Sequence, residues 1–234
     1  MKKLLELRLK IINVGRINKL VSSIATVSQL RLIRSDYKKA ENMFTIWEKQ
    51  YTDALALTTN ATYNIQPDSP TSYFIIGVNK SLCGGMRYEL SKKAQSLNEE
   101  AQHLYIYGSM TKRDLDDTNI GYQDFNIKEI NKYIELILES RINYCIVFFS
   151  KKGCVIKELL PKKIMYNSSW TRAYITDRFL CALKIGNYWE HRNRYEALNK
   201  AADASDKMLE DIKLEYSKER QNTINSSLTN PLNE

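Results

Sequence analysis

LRLKIINVGRINKLVSSIATVSQLRLI (7–33) decides the fold of this chain. In it Leu7, Ile11, Val14, Asn18, Val21, Ala25, Ser28 and Leu32 recur at alternating spacings of four and three. That alternation, held over several heptads, marks a helix paired with another along a narrow seam. After a short phase shift Tyr37, Ala40, Phe44, Trp47, Tyr51, Ala54 and Thr58 continue the pattern. The matching stretch lies near the other end, NRYEALNKAADASDKMLEDIKLEYSKERQNT (193–223). There Tyr195, Leu198, Ala202, Ser205, Leu209, Ile212, Tyr216 and, less regularly, Glu219 and Thr223 repeat the spacing. The prolines are Pro67, Pro70, Pro161 and Pro231, so 1–66 and 162–230 contain none. Helices of about 55 residues reach roughly 80 Å, far more than a compact domain needs. The expectation is an antiparallel coiled coil of 1–66 with 162–234, carrying an inserted domain at 67–161.

This seam is weak. Asn18, Ser28, Ala202 and Ser205 stand where a self-sufficient coiled coil has Leu or Ile. Each buried Leu contributes about 1.5–3 kcal/mol, and Ala or Ser far less. A second apolar stripe, Ile17, Leu20, Ile24 and Val27, is rotated away from the first, and a two-helix rod cannot bury both. A partner protein, a third helix and the inserted domain are all candidates to cover it.

Charge is concentrated as well. The first forty residues carry ten Lys and Arg against Glu6 and Asp36, which equals the net +8 of the whole chain. An arm of that sign suits nucleic acid, an anionic membrane or an acidic protein surface, or is simply a solvated helix face. Because the basic residues alternate with two apolar stripes, they leave no clean basic face with interleaved aromatics. A nucleic-acid-binding coiled coil is therefore the disfavoured alternative. No apolar run approaches the roughly 18 residues of a membrane span. Charges interrupt MKKLLELRLK too often for a secretory signal, and Glu6 argues against a transit peptide. Cys83, Cys145, Cys154 and Cys181 lie far apart without a CxxC pair, which points away from metal and disulfide frameworks and toward a reducing compartment.

The middle of the chain reads as a small Rossmann-like α/β domain. Strands are expected at 71–78, 102–108 and 143–149, and helices at 86–101 and 127–140; such alternation suggests a parallel sheet. The pair Gly84-Gly85 follows the first strand, where nucleotide folds place phosphate-binding glycines. Yet neither GxxxxGK[ST] nor GxGxxG is present, so a tight strand-to-helix turn is the simpler role. With only His103 and His191, no HExxH and no carboxylate–histidine cluster, the sequence offers no catalytic residue, no metal ligands and no cofactor site.

Three segments together resemble one family. ELRLKIINVGRINKLVSSIATVSQLRLIR (6–34) is similar to the N-terminal helix of gamma subunits, the central stalk of F-type rotary ATP synthases, with Glu6, Arg8, Ile11, Val14, Lys19, Val27, Arg31 and Arg34 in register. NKSLCGGMR (79–87) resembles the family's Leu-Cys-Gly-Gly loop, here Leu82, Cys83, Gly84 and Gly85. EHRNRYEALNKAADASDKMLEDIKLEYSKERQNTI (190–224) resembles its C-terminal signature through Glu190, Arg194, Ala197, Ala201, Tyr216, Arg220, Gln221 and Ile224. The resemblance implies a non-catalytic rotor, one copy per complex, turning inside a hexamer of alpha and beta subunits. Ile17, Leu20, Ile24 and Val27, with Ile224 and Leu228 at the tip, would meet the hexamer's apolar sleeve. Arg31, Arg34, Arg220 and Gln221 would meet its acidic and polar loops, and Cys83, Gly84 and Gly85 would form a structural loop. The epsilon or delta subunit and the membrane ring of c subunits would sit at the foot. The implied location is the cytoplasmic face of a cell membrane or the matrix side of the inner mitochondrial membrane. Departures from the family, a short central domain and a polar tip NTINSSLTNPLNE, also fit a paralogous rotor not coupled to proton flow.

Overall fold

A computed structural model describes residues 2–57, 62–64, 69–140, 142–160, 163–165 and 169–229. Helix α1 (Lys2–Ile33) opens the chain and α6 (Ser169–Thr229), 61 residues long, closes it. At 1.5 Å per residue α6 spans about 90 Å. Between them come α2 (Tyr37–Leu57), β1 (Thr62–Asn64), β2 (Thr71–Ile76), α3 (Gly85–Asn98), β3 (Ala101–Tyr107), α4 (Ser109–Asp116), β4 (Gln123–Asp124), a 3-10 turn (Ile127–Glu129), α5 (Ile130–Glu139), β5 (Asn143–Ser150), β6 (Gly153–Glu158) and β7 (Lys163–Met165). Two compact units result, Met1–Leu30 with Arg194–Glu234, and Arg31–Asn193. The expected boundaries at 66/67 and 161/162 fall outside the described residues.

In the first unit α1 and α6 run side by side in opposite directions. Lys3 Nζ meets Glu219 Oε2 at 3.1 Å, and Asn18 Nδ2 donates to Asp206 Oδ1, so going up one helix means going down the other. Such exposed ion pairs contribute little energy and mainly report the direction. The packing follows the alternation of spacings: Leu7, Ala25, Ser28 and Leu198 are buried, and Ile11, Val14, Asn18, Val21, Ala202, Ser205, Leu209, Ile212, Tyr216, Glu219 and Thr223 are half-buried. Asn18 Oδ1 is buried without a hydrogen-bond partner.

The first helix departs from the expected continuous rod. It breaks at Arg34–Asp36, where the apolar phase shifts, and Ala40 N–H bonds Asp36 O at 2.9 Å to start α2. The reason lies in what α2 packs against. Ala40 and Phe44 are buried in the core of the second unit, Phe44 lies 5.5 Å from Phe148, and Tyr37 stacks on Tyr188 at 4.0 Å. The side chains of Tyr51 and Ala54, and Thr58, lie outside the described residues.

The sheet has the order β4-β3-β2-β5-β6 and is mixed. Neighbours among β4, β3, β2 and β5 are parallel, whereas β6 returns antiparallel beside β5 through a hairpin at Ser150–Gly153. The expectation of a parallel sheet therefore holds for four strands and fails for β6, whose turn at Lys151-Lys152 is too short for a crossover helix. Helix α4 and strands β1, β4, β6 and β7 go beyond the elements expected from the sequence. Phe74, at the centre of β2, is fully buried. It stacks on Tyr105 at 4.5 Å and meets Phe179 at 5.0 Å, Phe125 at 5.2 Å and Tyr133 at 5.7 Å edge to face. Helix α5 faces this cluster with Tyr133, Ile134 and Ile137. Truncation of Phe74→Ala leaves a cavity that four rings cannot close, and is expected to cost about 3–5 kcal/mol in urea unfolding of the second unit.

Candidate partner-binding surface

The surface of the paired helices is built by the same periodicity that makes the seam. At about 100° per residue, Ile17, Leu20, Ile24 and Val27 lie roughly 100° around α1 from the buried line. Ile17, Leu20 and Val27 are 55%, 63% and 49% exposed, while Ile24 is half-buried. Leu5, Leu9 and Ile12 extend the apolar exposure toward the start of α1, and Met208 and Leu214 add to it on α6. At the far end of α6, Ile224 and Leu228 are exposed, as are Arg220 and Gln221. Arg31, in the last turn of α1, and Arg34, just after it, are exposed and belong to the second unit. The sequence reading missed Leu5, Leu9 and Ile12, although their spacing of four and three carries the same signal.

In the second unit, the loop after β2 brings Cys83, Gly84 and Gly85 to the start of α3. Cys83 is buried, with its Sγ 3.1 Å from Lys80 O. Gly84 caps α3 at φ 58°, ψ −142°, a conformation essentially restricted to glycine, whereas Gly85 is the first helical residue and a Cβ there would meet nothing. Asn79 N–H bonds the buried Glu190 carboxylate of α6 at 3.1 Å, and Asn79 Oδ1 accepts from Ser109 N–H at the start of α4. Below the glycines a cleft of about 490 Å³ opens between α3 and α4, lined by Arg87, Tyr88, Ser91, Lys92, Asp114 and Asp117. Within it Arg87 grips Asp114 with two nitrogens, and Ser91 Oγ donates to the same carboxylate at 2.8 Å. Arg87 first, then Ser91, hold Asp114 below the usual carboxylate range.

Burial pushes the Cys145 and Cys154 thiols up to about 11, so both stay protonated and poorly nucleophilic at neutral pH. Among the described residues no group of three His, Cys, Asp or Glu side chains could hold a metal ion, and no helix is long and apolar enough to cross a membrane.

The fold has close counterparts in rotary complexes. A chain of the rotor of Euglena gracilis mitochondrial ATP synthase superposes with a TM-score of 0.65 at 14% identity, over 95% of this chain and 99% of that one. A chain of the OSCP/F1/c-ring assembly of the same Euglena enzyme gives 0.70 at 13% identity, over 99% of this chain and 93% of that one. No family model and no curated protein matches the sequence. The likeness is therefore one of fold, and it extends over nearly the full length of both chains.

The loop geometry separates two glycines that the sequence presents as a pair. Gly84→Ala is expected to lose about 1–3 kcal/mol in thermal unfolding, since its backbone conformation excludes a Cβ. Gly85→Ala, at the first position of a helix, is expected to be neutral or to gain up to about 1 kcal/mol.

Proposed function

We propose that this chain is the gamma-type central shaft of an F-type rotary ATP synthase or ATPase. The observation that carries the reading is an end-to-end fold likeness to chains of rotary ATP synthases, in a molecule whose paired terminal helices leave a long apolar face open. The three sequence segments at 6–34, 79–87 and 190–224 support it independently. The α1–α6 pair acts as an antiparallel coiled coil standing inside a hexamer of alpha and beta subunits. Ile17, Leu20, Ile24 and Val27 slide against its sleeve together with Ile224 and Leu228. Arg31 and Arg34 face acidic loops. Torque arises because one asymmetric rod presents a different surface to each of three catalytic sites, favouring a different conformation in each. Nucleotide chemistry stays in the hexamer, and this chain supplies no catalytic group. The second unit forms the foot, beside the epsilon or delta subunit and the c ring. Since the similar chains belong to mitochondrial enzymes, the matrix side of the inner membrane is the preferred location over the cytoplasmic face of a cell membrane.

The decisive experiment is purification of the native complex through a tag on this chain. Alpha and beta subunits in a three-to-three-to-one ratio with it are the expected outcome; a chain that elutes as a stable, helical monomer without them overturns the reading. Within such a complex, Leu209→Asp with Ile212→Asp places two charges in a narrow seam, at a cost of several kcal/mol. Assembly is expected to fail, or ATP to be hydrolysed without coupled work. Lys213→Asp, one position further on and exposed, is the control and should be nearly neutral.

At the tip, Arg220 and Gln221 are free to make charge-assisted hydrogen bonds to one beta subunit at a time. Replacing both by Ala is expected to slow ATP turnover of the complex about tenfold while leaving its subunit composition unchanged. Unchanged turnover would remove this contact from the proposal.

A further inference from the structure

In sheets of this topology the strand order reverses beside the first strand of the series, and ligands bind in the crevice outside the carboxyl ends of the strands at that point. Here the order β4-β3-β2-β5 puts the crevice beyond the ends of β2 and β5. The crevice is where α6 passes. A Cβ built on Gly186 would come within 3.1 Å of Ile76, the last residue of β2. Trp189 approaches Phe149, near the end of β5, with ring centroids 6.5 Å apart. Glu190, only 3% exposed, accepts the Asn79 N–H of the loop after β2 at 3.1 Å. A backbone amide of that loop is the group that receives a ligand's anion in nucleotide-binding relatives of the fold.

We propose that residues 186–190 of α6 are a built-in ligand of the α/β unit, with the Glu190 carboxylate seated in the anion position of the crevice. Loop 79–85 is thus a carboxylate-receiving loop whose conformation depends on the long helix. Three features fit a loop held from outside. Leu82 adopts φ 64°, unusual for a bulky residue, while its side chain is 57% exposed and gains little burial in return. Cys83 turns inward to the Lys80 carbonyl. Asn79, bound by Glu190, passes the constraint on by accepting Ser109 N–H at 3.2 Å, while Ser109 Oγ donates to Asn79 O at 3.2 Å. Glu190 is then a positioning residue: it sets the loop that displays Leu82, and it keeps free anions out of a crevice that would otherwise take them. This inference does not rest on the rotor reading.

Cys83 provides the probe, because it is buried in the loop itself. In the 234-residue chain carrying Glu190→Ala, alkylation of Cys83 by iodoacetamide, mapped by peptide mass spectrometry, is expected to accelerate on the order of tenfold, the effect of losing a hydrogen bond to a charged group. Formate or acetate should return the rate toward that of the unaltered chain, while chloride at equal ionic strength should not. Glu190→Gln, which keeps an acceptor oxygen, should fall between the two. An unchanged rate in Glu190→Ala, or an increase that neither carboxylate reverses, overturns the proposal. Should Glu190→Ala not fold, hydrogen exchange on the unaltered chain decides. The Asn79 amide should be protected as strongly as the amides of β2, and exchange at the rate of an open loop would refute a seated carboxylate.

Discussion

One helix carries two incompatible hydrophobic patterns, and everything else is arranged around it. Over 174–189, α6 buries Tyr174, Ile175, Phe179, Ala182, Leu183, Ile185 and Trp189, a broad apolar face suited to lying on a sheet. From Ala202 onward only one residue in three or four is even half-buried, a stripe wide enough for a single partner helix. A helix that kept the broad face throughout would demand a sheet along its whole length, and one that kept the narrow stripe could not anchor in a core. The change near Arg194 coincides with the boundary between the two compact units.

The narrow part is weakly built. Its seam holds Asn18, Ala25, Ser28, Ala202 and Ser205, while Ile17, Leu20 and Val27 remain outside it. Moving those three into the seam would strengthen the pair by the usual value of buried aliphatic side chains. The sequence instead places its larger apolar groups on the surface, the pattern found at interaction sites. Small seam residues also let the helices approach closely and keep the rod thin. Both features leave the pair with more apolar surface than its own seam buries.

In the second unit a sheet of familiar topology is covered by the chain's own long helix. Its parallel strands and crossover helices create a crevice, but α6 lies across it, and in the cleft between α3 and α4 Arg87 is paired with Asp114. Burial holds the Cys145 and Cys154 thiols protonated at neutral pH. At the centre of the unit is the aromatic cluster of Phe74 and its neighbouring rings.

By itself the sequence determined whatever depends on local periodicity. The seam residues on both helices, the second stripe, the strand at Thr71–Ile76 and the turn at Gly84-Gly85 were all legible, because side-chain spacing on a helix or strand directly states which face is buried. It also supplied the resemblance at 6–34, 79–87 and 190–224. Tertiary structure decided what depends on residues distant in sequence. That α2 leaves the rod follows from the burial of Phe44 in the sheet's core, and that β6 returns antiparallel follows from its hairpin with β5. That Glu190, one acidic residue among many on a long helix, is buried against the Asn79 amide is set by contacts across 111 positions of chain, which no local pattern encodes.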